Sequence, residues 1–170
     1  MENEFQFVRL VGNERRVADT LEGVSRHWQG DQECFLFISP HDDDVVLGGG
    51  LLIQLAQREN IPVHVLIVTD GSMGYCSAEE KDNISEIRQK ETMECFKLLG
   101  VPEDQVHWLD FPDSQLGAYR GKRVAQKGDK GIIKGSTGLQ NSFTYWLREI
   151  RPTQCFLPTS SDLHPDHKIT

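Results

Sequence analysis

The chain has 170 residues and a mass of 19.3 kDa, which is long enough for one domain with a buried core. Apolar residues make up 38% of it and charged residues 26%, a balance that excludes a disordered tail or a low-complexity segment. The formal charge of −8 argues against general nucleic-acid binding, and no apolar run approaches the roughly 20 residues that a transmembrane helix needs.

The acidic start of the chain and the spacing of its cysteines predict a cytoplasmic protein. Met1–Glu4 carries two glutamates, whereas a secretory signal begins with basic and then apolar residues. Because no two cysteines form a CxxC pair, we expect reduced thiols rather than a disulfide framework. The four cysteines are Cys34, Cys76, Cys95 and Cys155.

A lead-in of one strand and one helix is predicted for residues 1–30. Polar and apolar residues alternate over 4–10, which is typical of a half-buried edge strand. Asn13 is then suited to cap a helix and Gly30 to end it. The apolar residues that recur at helical spacing between them are Val17, Leu21, Val24 and Trp28.

From residue 34 onwards, predicted strands and helices alternate. Continuous apolar runs predict buried strands at 34–38, 62–68, 106–109 and 155–157. Helical spacing predicts helices at 45–58, 84–99 and 142–150. Gly100 follows the second of these helices, where a glycine commonly ends a helix.

This alternation predicts an α/β fold: a three-layer, Rossmann-like domain with a mostly parallel sheet. We expect one such domain over residues 1–170. Ligands of these sheets bind at the carboxyl ends of the strands. The segments after Ile38, Val68 and Leu157 are therefore the places to look for a site.

One basic, glycine-rich stretch interrupts the alternation and predicts an insertion at 114–140, either a long loop or a hairpin. Between Tyr119 and Lys134 it carries six basic residues and one acid, Asp129. Such a charge run is usually a solvated, mobile loop, and the alternative is a lid that meets an anionic substrate. The six basic residues are Arg120, Lys122, Arg123, Lys127, Lys130 and Lys134.

Two polar clusters follow predicted strands. The first is His41–Asp44, whose three adjacent carboxylates repel one another unless a cation relieves them. The second is Asp162–His167, with two histidines beside an acid. Together the clusters offer two imidazoles and a carboxylate, which is how catalytic zinc is typically held with one position left for water.

Each cluster also has a structural interpretation. A histidine in a loop is often a surface residue, and aspartates before a helix can cap it or favour its dipole. Their joint placement at two strand ends of one sheet favours the metal interpretation. The remaining histidines, His27, His64 and His107, have no such neighbours and are assigned no role.

The two clusters resemble motifs of a known family. His41–Asp44, followed by Gly48–Gly50, is similar to its His-x-Asp-Asp motif, and His164–His167 matches its His-Pro-Asp-His motif. Three shorter matches are Thr69–Gly71, Arg88–Glu91 and Phe111–Asp113. Over residues 34–170 the sequence thus resembles the PIG-L/LmbE-like zinc-dependent N-deacetylases, such as N-acetylglucosaminyl-phosphatidylinositol de-N-acetylase.

The resemblance implies a catalytic zinc site with one Zn²⁺ per chain. His41, Asp44 and His167 would be the metal ligands. Asp43 would be the general base, and His164 would stabilise the tetrahedral intermediate. This assignment is chemically consistent, because a zinc-bound water has a pKa near ~7 and a nearby carboxylate can take its proton.

Arg88 and Asp113 would contact sugar hydroxyls, according to the same resemblance. The sequence leaves Arg88 a second interpretation, a salt bridge with Glu91 on the helix surface. The chain departs from the family at Asp42, where proline is most common, and at Val45, where many members have glutamate.

The leading hypothesis is a hydrolase that removes an acetyl or other acyl group from an N-acylated amino sugar or its conjugate. The expected partner is this small molecule, without nucleic acid or a transmembrane segment, and a homo-oligomer is possible. One alternative is an inactive metal- or sugar-binding module. Another is a non-haem Fe(II) oxygenase, which uses the same ligand types. A Mg²⁺-dependent phosphate enzyme is disfavoured because magnesium seldom recruits histidine.

Overall fold

The computed structural model describes residues 6–159 and 161–170. The chain divides into two compact units, one ending at Glu33 and the other beginning at Cys34. That the whole chain forms one domain stays a prediction. Within the described residues, no helix has the length and apolar character needed to cross a bilayer.

The first unit contains an antiparallel hairpin of β1 (Phe7–Val11) and β2 (Glu14–Ala18), followed by the short helix α1 (Leu21–Val24). The predicted edge strand is confirmed from residue 7, while residues 4 and 5 lie outside the described part of the chain.

The predicted helix from Asn13 to Gly30 is wrong. Asn13 lies in the two-residue turn of the hairpin, after Gly12, whose φ is +58°. A two-residue hairpin turn needs a positive φ at its first residue, and Gly12 supplies it. This local turn signal therefore outweighs the helical spacing, and only the segment around Leu21 and Val24 is helical.

The second unit holds one four-stranded sheet with strand order β5-β4-β3-β8, in which every pair is parallel. Every strand and helix predicted between residues 34 and 157 is present, with ends displaced by at most three residues. The elements of this unit are β3 (Phe35–Ser39), α2 (Asp44–Arg58), β4 (Val63–Thr69), α3 (Ile84–Leu98), β5 (Val106–Phe111), β6 (Arg123–Val124), β7 (Ser136–Thr137), α4 (Leu139–Ile150), β8 (Gln154–Phe156) and α5 (Pro165–Ile169).

Helices cover the sheet on both faces. On one face α2 approaches closely, since a Cβ placed at Gly49 would lie 2.7 Å from the ring of Phe37. On the other face a buried apolar cluster is covered by side chains of α4, namely Phe143, Trp146 and Ile150. The predicted three-layer, Rossmann-like α/β fold is confirmed.

The strand order places a crevice beside β3. The chain passes from β3 to β4 and β5 on one side and returns to β8 on the other, so its direction across the sheet reverses between β3 and β8. Ligands of open α/β sheets bind at this point, outside the carboxyl ends of the strands. A cavity of about 510 Å³ lies there, and Asp44, Asp162 and His167 are among the residues that line it.

The basic insertion is a hairpin rather than an unstructured loop. Its strands β6 and β7 are antiparallel, with Arg123 opposite Thr137. Arg123 donates two hydrogen bonds to Asp129, at 2.5 and 2.6 Å. Gly131 packs so tightly on Phe111 at the end of β5 that a Cβ there would overlap the ring, lying 2.6 Å from Cε1 and 2.9 Å from Cε2. A lid function for this hairpin stays a prediction.

Candidate metal centre

The turn after β3 is held by its neighbour strand. The carbonyl oxygen of Pro40 accepts hydrogen bonds from Thr69, at 3.0 Å from the backbone nitrogen and 2.8 Å from the hydroxyl. Helix α2 then begins at Asp44, whose Oδ2 accepts a hydrogen bond from the backbone nitrogen of His41 at 3.0 Å. The first cluster is therefore a short, closed turn in which the side chains of His41 and Asp44 face each other.

The second cluster is organised by its own aspartate and histidine. Oδ1 of Asp162 accepts a hydrogen bond from the backbone nitrogen of His164 at 2.8 Å. His164 caps α5, since its Nδ1 accepts from the backbone nitrogen of Asp166 at 3.3 Å, and Pro165 suits the first helical position. Helix α5 then carries His167 to the end of β3.

Three potential ligand atoms meet between the two clusters, and we refer to them as the candidate triad. Nδ1 of His41 lies 3.3 Å from Oδ2 of Asp44. Nε2 of His167 lies 3.2 Å from Oδ2 of Asp44 and 3.3 Å from Nδ1 of His41. In tetrahedral zinc sites with bonds of about 2.0–2.1 Å, two ligand atoms are about 3.3–3.4 Å apart. The candidate triad thus has the size of one face of a zinc tetrahedron.

In both triad histidines, the ring nitrogen that points away from the candidate triad contacts a carboxylate. Nε2 of His41 lies 3.4 Å from Oδ1 of Asp113 and 3.5 Å from Oδ2 of Asp166. Nδ1 of His167 lies 3.0 Å from Oδ2 of Asp162. A carboxylate behind a metal-binding histidine fixes its tautomer and ring orientation. This outer set, Asp113, Asp162 and Asp166, leaves the other nitrogen of each ring directed at the candidate triad.

The electrostatics of the site suit a cation. Burial alone would lower the pKa of His41, but hydrogen bonds with Asp113 and Asp44 outweigh it and raise the pKa to about 10. Burial would raise the pKa of both aspartates, yet their contacts with His41 lower it. The surrounding carboxylates therefore stabilise positive charge at this point, whether on a proton or on a metal ion.

His164 lies close to the candidate triad, and Asp43 is the residue before its ligand Asp44. The ring of His164 packs edge-on against that of His41, with centroids 4.6 Å apart. Nitrogens of His41, His164 and His167 come within 4.8 Å of one another, as do ligand atoms of His41, Asp113 and Asp166. We favour the candidate triad over these groups because all three of its separations match a single tetrahedral ion. Asp43 precedes Asp44 in the turn, and its side chain is 58% exposed.

Arg88 and Asp113 already have protein partners. Nε of Arg88 donates to both carboxylate oxygens of Asp42, at 2.9 and 3.1 Å. Within the described residues it forms no ion pair with Glu91, so the helix-surface interpretation is wrong. Asp113 faces His41, and its side chain is only 8% exposed. The predicted contacts of Arg88 and Asp113 with sugar hydroxyls stay predictions.

Sequence reasoning missed two features of the site: the role of two aspartates behind the histidines, and the contact between Asp42 and Arg88. Asp162 and Asp166 lie inside the second cluster, and the general pairing of metal-binding histidines with carboxylates was the signal that could have shown their role. The contact between Asp42 and Arg88 joins positions 46 residues apart, and no spacing rule in one sequence indicates it.

Comparison with known proteins identifies the family of this chain. The sequence profile of the GlcNAc-PI de-N-acetylase (PIG-L) family matches residues 36–170, which include both clusters. The diacetylchitobiose deacetylase of Thermococcus kodakarensis is 34% identical over 109 residues, covering 61% of this chain and 40% of that protein.

Solved structures share the fold. The N,N'-diacetylchitobiose deacetylase of Pyrococcus horikoshii, in complex with an inhibitor, matches with a TM-score of 0.66 at 29% identity, over 82% of this chain and 47% of that one. The 4-carboxy-2-hydroxymuconate hydratase of Pseudomonas putida KT2440 matches with a TM-score of 0.56 at 17% identity, over 79% and 51%, which indicates the fold alone. The chain spans about half the length of these relatives. Since the family profile covers most of the sequence, this chain belongs to the GlcNAc-PI de-N-acetylase (PIG-L) family.

Proposed function

We propose that this chain carries the metal centre of a zinc-dependent hydrolase that removes the acetyl group from an N-acetylated amino sugar or its conjugate. The candidate triad is the main support, because its ligand atoms are separated by 3.2–3.3 Å, as around one tetrahedral ion. Two similar proteins are diacetylchitobiose deacetylases, which supports the substrate class.

His41, Asp44 and His167 would hold one zinc ion. Two imidazoles and one carboxylate are a common set for catalytic zinc, and they leave a fourth position open. When bound, zinc lowers the pKa of a coordinated water and polarises an amide carbonyl. The carboxylates behind His41 and His167 would keep both rings in the binding orientation.

Asp43 would act as the general base, with its carboxylate accepting a proton from the attacking water. Its exposed side chain and its position in the turn that supplies two ligands support this role. His164, packed against His41, would donate a hydrogen bond from Nε2 to the oxyanion of the intermediate, while its Nδ1 accepts from the backbone nitrogen of Asp166. Asp43 or His164 would then return a proton to the departing amine.

The sugar would bind beside Asp43. Its acetyl group would enter the cavity of about 510 Å³ that Asp44 and His167 line, and the rest of the sugar would extend towards the groove of about 530 Å³ that Asp43 and Arg88 line. The guanidinium of Arg88 is held there by Asp42 and could donate a remaining N–H to a hydroxyl. The carboxylate of Asp113 is almost fully buried and already contacts His41. Asp113 would therefore contact the sugar only while it also keeps its contact with His41.

Two measurements on the whole protein test the proposal. Elemental analysis of protein handled without chelators is expected to give about one zinc per chain, as three-ligand sites of this type hold. An amine-release assay across acetylated amino sugars is expected to detect free amine. Zinc without amine release would favour the inactive binding module. Bound iron with a 2-oxoacid requirement would favour the oxygenase, and no metal after zinc is added back would contradict both enzymatic hypotheses.

A further inference from the structure

Asp42 is a buried carboxylate with an unusually complete set of donors. Its side chain is 8% exposed, although it stands in a turn between His41 and Asp43. Arg88 donates to both of its oxygens from Nε, and its Nη2 donates to Oδ1 as well. The hydroxyl of Thr92, one helical turn further along α3, donates to Oδ2 at 3.1 Å. We call Asp42, Arg88 and Thr92 the Arg88 clamp.

The loop after β4 is built around the guanidinium of this clamp. A Cβ at Gly74 would lie 2.8 Å from Cδ and 3.1 Å from Cζ of Arg88. A Cβ at Gly71 would lie 3.3 Å from its Nε. Side chains at these positions would therefore displace Arg88, and glycine lets the loop close over it. Arg88 thus contacts three segments at once: its own helix, the turn after β3 and the loop after β4.

The clamp reaches His41 from two directions. Through the chain, Asp42 is the next residue after His41, so fixing its carboxylate fixes the turn. Through the loop, the backbone nitrogen of Met73 donates to Oδ2 of Asp113 at 3.2 Å, and Oδ1 of Asp113 faces Nε2 of His41 at 3.4 Å. Displacement of Arg88 would loosen both supports of the His41 ring.

We propose that Asp42 is a positioning residue that acts through Arg88 to hold the His41 ring and the neighbouring Asp43 in place for metal binding and catalysis. The inference rests on the metal centre proposed above. Nη2 of Arg88 lies 3.8 Å from Oδ2 of Asp43, so the same guanidinium that holds the turn stands beside the expected base. Asp42 occupies a position where the family most often has proline, which has no carboxylate to pair with an arginine.

A double-mutant cycle tests the clamp. Asp42→Asn keeps the shape of the side chain and removes its charge, and Arg88→Gln removes the guanidinium. Removing one partner leaves the other as an uncompensated buried charge, whereas removing both does not. We expect each single variant to weaken zinc affinity by about tenfold, the lower end of the loss found for residues that support metal ligands. The double variant should bind zinc no more weakly than either single variant.

A second readout needs no metal. In the metal-free protein, the ring signals of isotope-labelled His41 should shift or broaden in Asp42→Asn and in Arg88→Gln. Wild-type protein that binds no zinc would overturn the proposed function, and the ring signals would still decide the inference. Wild-type protein that binds zinc but releases no amine would overturn the hydrolase, and the zinc affinities would again decide the inference.

The hairpin offers a matched control. Arg123 and Asp129 also form a pair with two hydrogen bonds, but Arg123 is 47% exposed. Arg123→Gln and Asp129→Asn should leave zinc affinity and the His41 signals unchanged. The inference is overturned if Asp42→Asn and Arg88→Gln lower only the melting temperature, with zinc affinity and His41 signals like wild type. It is also overturned if their effects on zinc affinity simply add.

Discussion

Nε2 of His167 lies 3.3 Å from Nδ1 of His41, although 126 positions separate the two residues. Parallel pairing of β8 with β3 brings them together, because Phe37 is opposite Phe156 and the segments after both strands begin at the same edge of the sheet. A site assembled in this way depends on the fold as much as on the motifs. Substitutions in either cluster should therefore change metal binding or turnover in specific ways.

Removal of either triad histidine should abolish stable zinc binding. His167→Ala leaves two of three protein ligands, and the same holds for His41→Ala. Elemental analysis after gel filtration should give far less than one zinc per chain for both variants. His27→Asn is the control, because His27 is exposed in the first unit, with a φ of +57° that asparagine tolerates. Retention of zinc by His167→Ala would contradict the candidate triad.

Asp43→Ala should separate metal binding from turnover. Asp43 contributes no atom to the candidate triad, so zinc content should match wild type. Loss of a general base typically lowers kcat by about 10²- to 10⁴-fold. Amine release under saturating substrate measures this effect, and Asp31→Ala, an exposed aspartate of the first unit, is the control. An Asp43→Ala protein with wild-type kcat would remove Asp43 from the mechanism.

Asp162→Asn should weaken zinc binding without abolishing it. Its Oδ2 lies 3.0 Å from Nδ1 of His167, so the substitution removes the charge that orients this ring. Loss of such a partner typically costs about 10- to 100-fold in metal affinity. Competition with a chromophoric chelator measures the change. An unaltered affinity would mean that α5 alone orients His167.

The fold was readable from the sequence where burial dictates the pattern. The apolar run that becomes β3 has no polar residue before Ser39, as a strand covered on both faces requires. The motifs then fell at the ends of β3 and β8 because polar residues that follow such strands must lie at the sheet edge. The hairpin turn at Gly12 was missed, because the turn signal covers only two residues and the apolar residues after it recur at helical spacing over a longer stretch.

The contacts behind the site were less accessible to sequence reasoning. In the sequence, Asp42 is indistinguishable from the other carboxylates of an acidic run. Arg88 is likewise one of several charged residues on an amphipathic helix. Their pairing depends on how α3 packs beside α2, which one sequence does not encode in any local pattern. Asp113 is similar, because its contact with His41 depends on the relative position of β5 and β3.

Gly74→Ala should destabilise the protein through Arg88. Gly74 does not have a positive φ, so alanine is compatible with the backbone, and the clash with the guanidinium is the main cost. Overpacking of this kind typically costs about 1–3 kcal/mol in the free energy of unfolding. In an Arg88→Ala background the same substitution should be nearly neutral. Urea unfolding of the four proteins measures this, and equal costs in both backgrounds would contradict the packing argument.

The stability of the protein should fall in acid because of a histidine pair remote from the candidate triad. Nε2 of His107 lies 3.3 Å from Nδ1 of His64, and the ring of His107 stacks on Trp146 at 4.1 Å. Burial, together with the charge of His64, lowers the pKa of His107 to about 4, although Asp104 opposes the shift. Burial likewise lowers the pKa of His64, again opposed by Asp104.

The sign follows from proton uptake. Unfolded histidine has a pKa of about 6.5, so between about pH 6.5 and pH 4 the unfolded chain binds protons that folded His107 does not. The free energy of unfolding should therefore decrease as the pH falls through this window, and the pair should contribute no pH dependence above it. His107→Phe keeps a ring against Trp146 and removes one titration, so its stability should depend less on pH. Urea midpoints of chelator-treated protein measure this, with His27→Asn expected to keep the wild-type slope. A His107→Phe protein as acid-sensitive as wild type would assign the loss to other groups.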